Sequence, residues 1–183
     1  MPSSPVELRT RRVLLRQWRD ADREPFAALN ADRQVMQHFP NALSRAESDA
    51  LVDRIMADMA ERGWGLWVVE ITETSAFAGF VGLSLATFEA PFTPAVEIGW
   101  RLARAQWGKG LATEAGRAVL DYGFGHAGLE EIVSFTSSAN LRSQRVMERL
   151  GMVRNPTDDF EHPGLPQGHH LRRHVLYRIT RPK

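Results

Sequence analysis

The sequence predicts a mixed α+β domain, built on a mostly antiparallel twisted sheet of about six to seven strands with helices on both faces. Three observations carry that expectation. A short strand and two helix-like segments come first, then a meander of strand-like runs, then strand, helix, strand, helix, strand. Ser44-Arg45-Ala46-Glu47 is a capping box that opens a helix whose apolar residues recur every four positions. The stretch from Val96 to Gly116 passes from an apolar run, through glycines 108 and 110, into residues suited to a helix.

The elements follow in order. Arg12 to Trp18 mixes β-branched, aromatic and charged residues and reads as a strand. Asp20 to Asn30 reads as a helix, because Asp20 is a capping type and Phe26 and Leu29 share a face. Ser44 to Arg62 is the clearest helix, with Leu51, Ile55 and Met59 in register and Gly63-Trp64-Gly65 at its end. Leu66 to Thr72 and Phe77 to Phe88 are strand-like runs around a polar turn at Glu73-Thr74-Ser75. After a proline-marked loop, Pro91 to Pro94, comes a further strand, Ala95 to Leu102. Leu111 to Tyr122 reads as a helix, Ile132 to Phe135 as a strand, and Asn140 to Leu150 as a helix ended by Gly151. Asn155 to His170, with three prolines and two glycines, reads as a long loop, and Val175 to Ile179 as the closing strand.

At 183 residues, the chain has length for one full core. Its 23 Lys and Arg nearly balance 22 Asp and Glu, so no bulk field favours nucleic acid or an anionic membrane. The absence of cysteine removes disulfides, thiolate metal sites and a cysteine nucleophile, and suits a reducing cytoplasm. The N-terminal residues lack the apolar core of a signal peptide, and no apolar run has membrane-spanning length. The expectation is a cytoplasmic domain over residues 8–180, with tails at 1–7 and 181–183.

Gly108 and Gly110 can turn consecutive N–H groups toward one point at the start of a helix, an arrangement suited to phosphate. A mononucleotide loop fails, since position 103 is Ala and Lys109 precedes Gly110. A dinucleotide fingerprint fails at Thr113, where its last glycine belongs. An ordinary tight turn remains the bland alternative for a lone glycine pair.

The pair is not alone. Glu97-Ile98-Gly99-Trp100-Arg101-Leu102 and Trp107-Gly108-Lys109-Gly110-Leu111-Ala112-Thr113-Glu114-Ala115 are followed, one strand later, by Asn140, Ser143, Val146, Gly151 and Met152. These blocks resemble the GNAT superfamily of acetyl-CoA-dependent N-acetyltransferases, especially its ribosomal-protein N-terminal (RimJ/RimL-like) branch. Leu14-Leu15-Arg16-Gln17-Trp18 resembles that branch's first strand, and the similarity spans roughly Leu8 to Thr180. Trp107 stands where many members of the superfamily carry Arg or Gln.

The resemblance implies the GNAT fold and acetyl-CoA as cosubstrate, its pyrophosphate held by Trp107, Gly108, Lys109, Gly110, Leu111, Ala112 and Thr113. It implies backbone contacts to pantetheine from Trp100, Arg101, Leu102 and Ala103, on a strand splayed from its neighbour by a bulge. It further implies that a neutral primary amine attacks the thioester directly. Asn140 then orients cofactor or water, and Ser143 donates to the leaving sulfur; both types also serve as helix caps.

For the base, strand alternation offers Glu97, which equally suits a salt-bridged sheet position. The late loop offers Asp158, Asp159, Glu161 and His162. Those residues, with His169, His170 and His174, show no metal-ligand spacing, so no metal is expected. Trp18, Trp64 and Trp67 suit a core or cleft wall better than a nucleic-acid platform. The expected partners are acetyl-CoA and an amine, either a small molecule or a protein N-terminus, without nucleic acid or membrane; a homodimer is compatible with the family. A non-catalytic acyl-CoA-binding protein on the same scaffold is the alternative.

Overall fold

The computed structural model describes residues 6–182, so residues 1–5 of the expected N-terminal tail and Lys183 lie outside the described residues. The chain runs β1 (Leu8–Arg9), β2 (Val13–Arg16), α1 (Arg23–Ala31), α2 (Arg45–Arg62), β3 (Leu66–Ile71), β4 (Phe77–Ala86) and β5 (Ala95–Leu102). It continues through α3 (Leu111–Gly125), β6 (Glu131–Ser137), α4 (Leu141–Arg149), β7 (Val153–Arg154), β8 (Phe160–Glu161) and β9 (Arg173–Thr180). The six longer strands are those the patterning predicts. The three additional ones, β1, β7 and β8, hold two residues each, too few to leave a periodic signal.

The strands form one sheet in the order β1-β2-β3-β4-β5-β6-β9-β7, with β8 also on β9. Neighbours pair antiparallel except β5 and β6, which are parallel. Helices cover both faces. Phe26 of α1 meets Phe80 of β4, ring centroids 6.0 Å apart. On α3, a Cβ added at Gly123 would lie 3.4 Å from Leu83 of the same strand. Positions 80 and 83 point to opposite faces, so α1 and α3 sandwich β4.

Local chemistry explains most helix ends. The Ser44 hydroxyl accepts from the Glu47 N–H at 3.3 Å, the Glu47 carboxylate accepts from the Ser44 N–H at 2.7 Å, and Gly63 closes α2 at φ 77°. The buried stripe of α2 is Ser48, Val52, Ile55 and Met59, with Leu51 only half-buried at its margin. The start of α1 differs from expectation. Asp20 opens a short 3-10 turn, Asp20–Asp22, and it is Asp22 that turns back to accept from the Arg19 N–H at 2.7 Å. Asp22 is fixed there because its two oxygens each accept from Arg16 at 2.8 Å, in a buried pair that Glu70 extends. The pair sits at the end of β2, and Trp18, two residues on, donates its indole N–H to the Leu66 carbonyl at 2.7 Å.

A smaller apolar cluster lies beyond the main core. Val133, Phe160 and Leu176 are buried with Phe88, Phe92, Ala95 and Phe135 packed against them. It ties the β4–β5 connection to the late segment carrying β8.

Candidate functional site

β5 and β6 part after a single pair, Glu97 opposite Val133, with the Ser134 hydroxyl donating to the Ile98 carbonyl at 2.9 Å. Each strand is committed elsewhere. β5 pairs with β4 from Ala86↔Ala95 to Gly79↔Leu102, and β6 pairs with β9 from Glu131↔Thr180 to Ser137↔His174. Two twisted antiparallel ribbons joined at one point diverge. The β6-facing backbone edge beyond Ile98 therefore has no strand partner among the described residues. The expected bulge is not in this strand: the β4–β5 register is unbroken, and the register shift falls at Val69/Glu70, between β3 and β4. Ribbon twist, rather than an inserted residue in β5, opens the wedge.

The glycine turn lies where that open edge ends. The Trp107 indole donates to the Leu102 carbonyl at 2.9 Å, which folds the chain over the strand end. Gly108 and Gly110 hold φ of 73° and 76°, conformations that side chains resist. Gly110 caps α3 with no side-chain acceptor, so first-turn N–H groups face outward at the positive end of a 15-residue helix. A Cβ at Gly108 would meet nothing within 4 Å, so the space over the turn is open. Lys109 donates from Nζ to Gln106 at 3.1 Å.

α4 faces this turn, its Arg142 guanidinium 4.4 Å from the Trp107 ring centroid. Asn140 caps α4, accepting from the Ser143 N–H at 3.2 Å and donating to the Thr136 hydroxyl at 2.9 Å. The half-buried Ser143 hydroxyl makes no hydrogen bond among the described residues.

Residues 12–153 match the family model described as an acetyltransferase (GNAT) domain. The uncharacterized protein YkkB of Bacillus subtilis is 32% identical over 148 residues, 80% of this chain and 85% of that protein. The uncharacterized N-acetyltransferase YnaD of the same organism is 27% identical, covering 89% of this chain and 90% of its own. Among solved structures, a GNAT-family acetyltransferase from Bacillus anthracis superposes with a TM-score of 0.79 at 24% identity, covering 97% of this chain and all of that one. A spermidine N-acetyltransferase from Vibrio cholerae, in complex with CoA and spermine, gives 0.72 at 21% identity over 92% and 95% of the two chains.

The chain belongs to the GNAT acetyltransferase family.

It is an N-acetyltransferase, with acetyl-CoA as the cosubstrate its family uses. The residues present fit that cosubstrate. An uncapped cradle of N–H groups meets a pyrophosphate without needing a metal, and an unpaired strand edge meets the amides of a pantetheine arm.

The opposite face of this acetyltransferase's β5 presents Glu97, Gly99 and Arg101. Burial pushes the Glu97 carboxyl up to about 8, against the pull of a hydrogen bond with Ser84, its cross-strand partner. No ion pair holds Glu97 among the described residues; it is an isolated acid beside the splay rather than a salt-bridged sheet residue.

The late loop behaves differently from expectation. Asp158 pairs with Arg178, Asp159 with Arg154 and Arg173, and Glu161 with Arg172. Four arginines thus hold its three carboxylates. His162 is packed 4.6 Å from the Phe88 ring and 5.0 Å from His174, and burial lowers both histidines' pKa values.

Two residues on this face escaped the sequence reading. His38, on the turn after α1, places Nδ1 3.3 Å from the Ser137 hydroxyl; burial first, then Arg142, lowers its pKa. Phe39 beside it covers the Arg101 guanidinium at 4.2 Å. No local pattern marks either one, because their partners lie on distant strands.

Proposed function

We propose that the protein transfers the acetyl group of acetyl-CoA to a primary amine by direct attack through a tetrahedral intermediate, as a RimJ/RimL-like member of its family. The observation that carries this reading is the meeting of the β5–β6 wedge with the Gly108–Gly110 cradle, with α4 against the turn through Arg142 and the Ser143 hydroxyl in its first turn unengaged among the described residues.

In this reading, the N–H groups of Gly108 to Thr113 hold the pyrophosphate, and the backbone from Trp100 to Ala103 aligns the pantetheine arm. Trp107 shapes the turn through its bond to Leu102, and Lys109 adds charge beside it. The neutral amine forms the new C–N bond as the thioester carbonyl becomes an oxyanion. Glu97 accepts the amine proton, directly or through water, since a carboxylate with a pKa near 8 is a far better base than an ordinary one. The oxyanion then re-forms the carbonyl and the C–S bond breaks; the Ser143 hydroxyl donates a hydrogen bond to the departing thiolate, which takes its proton from solvent. Asn140 acts by fixing the first turn of α4, and so the Ser143 position. Residues 8–180 form the single catalytic unit.

Calorimetric titration with acetyl-CoA, followed by thiol release across an amine panel, tests this reading. Binding and amine-dependent release are expected. Gly110→Glu places bulk and negative charge where the pyrophosphate belongs and should abolish binding; unchanged affinity refutes the cradle.

A further inference from the structure

Arg101, on the same face of β5 as Glu97 and Gly99, has no anionic partner among the described residues. Only its Nη1 is engaged, donating to Asn30 Oδ1 at 2.6 Å. Asn30 is itself fully buried and is held by donating to the Ser48 hydroxyl at 2.9 Å. That bond ties α1 to α2 and points the amide oxygen at Arg101. The guanidinium carbon is 4.2 Å from the Phe39 ring centroid and 5.4 Å from that of Phe80. Its Nε is buried with no acceptor, and Nη2 has none among the described residues. Burial without a counter-charge pulls the group down to about 10.

An arginine with Nη1 anchored, its face covered by a ring, and the Nε–Nη2 edge unpaired has the donors of the side-on fork that matches the two oxygens of a carboxylate, with Nε covered until a ligand draws it out. A buried charge left unpaired is strongly unfavourable, so a fold that retains one gains from a ligand that completes it. The fork also has room beside it. Gly99 lies between Glu97 and Arg101 on the same face, and a Cβ added there would meet only Glu97 Oε1, at 3.8 Å. With about 3.3 Å of rise per residue, the two flanking Cα atoms are about 13 Å apart, with the bare Gly99 backbone between them. The charges facing this space oppose a polycation. Arg101 is positive and burial favours the neutral form of Glu97, so the face between them holds no fixed negative charge for a cation.

We propose that Arg101 is the specificity-determining residue of the acceptor site, binding the carboxylate of a small amino acid-like acceptor whose amine is placed toward Glu97. The backbone of β5 then serves the donor and the Arg101 side chain the acceptor. This inference rests on the acetyl-transfer reading above.

The test compares thiol release from acetyl-CoA with glycine, β-alanine and 4-aminobutyrate, each against its carboxamide, alongside spermidine, O-phosphoethanolamine and a tripeptide with an acidic second residue. At least one carboxylate should exceed its carboxamide about tenfold or more in kcat/KM, because the amide leaves the fork unpaired. Arg101→Gln should erase that preference by raising KM for the carboxylate. The readout is the carboxylate-to-carboxamide ratio of kcat/KM within each variant, which a general loss of donor binding or folding leaves unchanged. Arg101→Lys, which keeps the charge but loses the fork, should fall between. Carboxamides, spermidine, the phosphoamine or the peptide performing as well as the carboxylates overturns the proposal, as does an Arg101→Gln variant that slows every amine equally. Failure of acetyl-CoA to bind would instead overturn the acetyl-transfer reading. If acetyl-CoA binds and no amine reacts, the melting temperature of the CoA-saturated protein decides. N-acetyl-β-alanine, but not its amide, should raise Tm in wild type and not in Arg101→Gln; equal or absent shifts overturn the subsite.

Discussion

Glu114, in the first turn of α3, is bound to Arg12 through both carboxylate oxygens. Oε1 accepts from the Arg12 N–H at 2.8 Å and from the Thr10 hydroxyl at 2.7 Å, and Oε2 accepts from Arg12 Nε at 2.6 Å. Arg12 Nη1 goes on to donate to the Lys109 carbonyl at 2.8 Å, so the N-terminal hairpin braces the glycine turn from behind. Burial works to raise the Glu114 pKa, but these bonds hold it below the usual carboxylate value.

Loosening that brace should weaken donor binding more than chemistry. Glu114→Gln is expected to weaken acetyl-CoA about tenfold while leaving kcat within about twofold, since the turn's N–H groups lose their alignment but no reacting group is touched. Calorimetry and steady-state rates check the split; a fall in kcat alone would remove the bracing role.

Glu97 gives two linked pH expectations. Its pKa is about 8 in the folded protein against an ordinary 4.5, so the native state holds the proton more tightly than the unfolded chain. The resulting stability is fully present below pH 4.5 and is lost as pH rises through about 8. Glu97→Gln should therefore flatten stability between those limits, as urea melts at pH 5 and pH 9 would read. As the base, ionised Glu97 should make kcat rise through pH 8; the Gln variant should lose that limb and about 100-fold in rate. An unchanged pH–rate profile would assign the base elsewhere, with His38 next in position.

Asn140 and Ser143 should separate cleanly. Ser143→Ala leaves the cap intact and should lower kcat about tenfold or more with acetyl-CoA affinity unchanged. Asn140→Ala removes the acceptor for the Ser143 N–H and should cost about 1 kcal/mol of stability, read by denaturant melts. Equal loss of rate and affinity in Ser143→Ala would make it a binding residue only.

Much of the fold was legible along the chain because its signals are local. A capping box needs four residues, the stripe of α2 needs two turns, and the six longer strands each carry enough alternation to be seen. The two blocks around Gly108–Gly110 and Asn140–Met152 were readable for the same reason: a family's donor site is written as short spacings. Where reading failed, an arginine a few residues along the chain or on a neighbouring strand had captured the carboxylate. Asp22 displaced Asp20 at the start of α1 because Arg16 captures it, and the acids of the late loop were taken by arginines 154, 172, 173 and 178.

The residues of the expected donor site were legible in the sequence, since glycines 108 and 110 and their spacing are local, although the turn they form is braced by Arg12 and Glu114 from far apart in the chain. The surroundings of Arg101 and His38 were decided only by tertiary structure. Asn30 reaches Arg101 across 71 positions and His38 reaches Ser137 across 99. Those contacts exist because α1 packs on β4 and the turn that follows it reaches Ser137 at the end of β6. The spacing that marks the cradle cannot reveal them, because burial and the pairing of charges belong to the packed molecule.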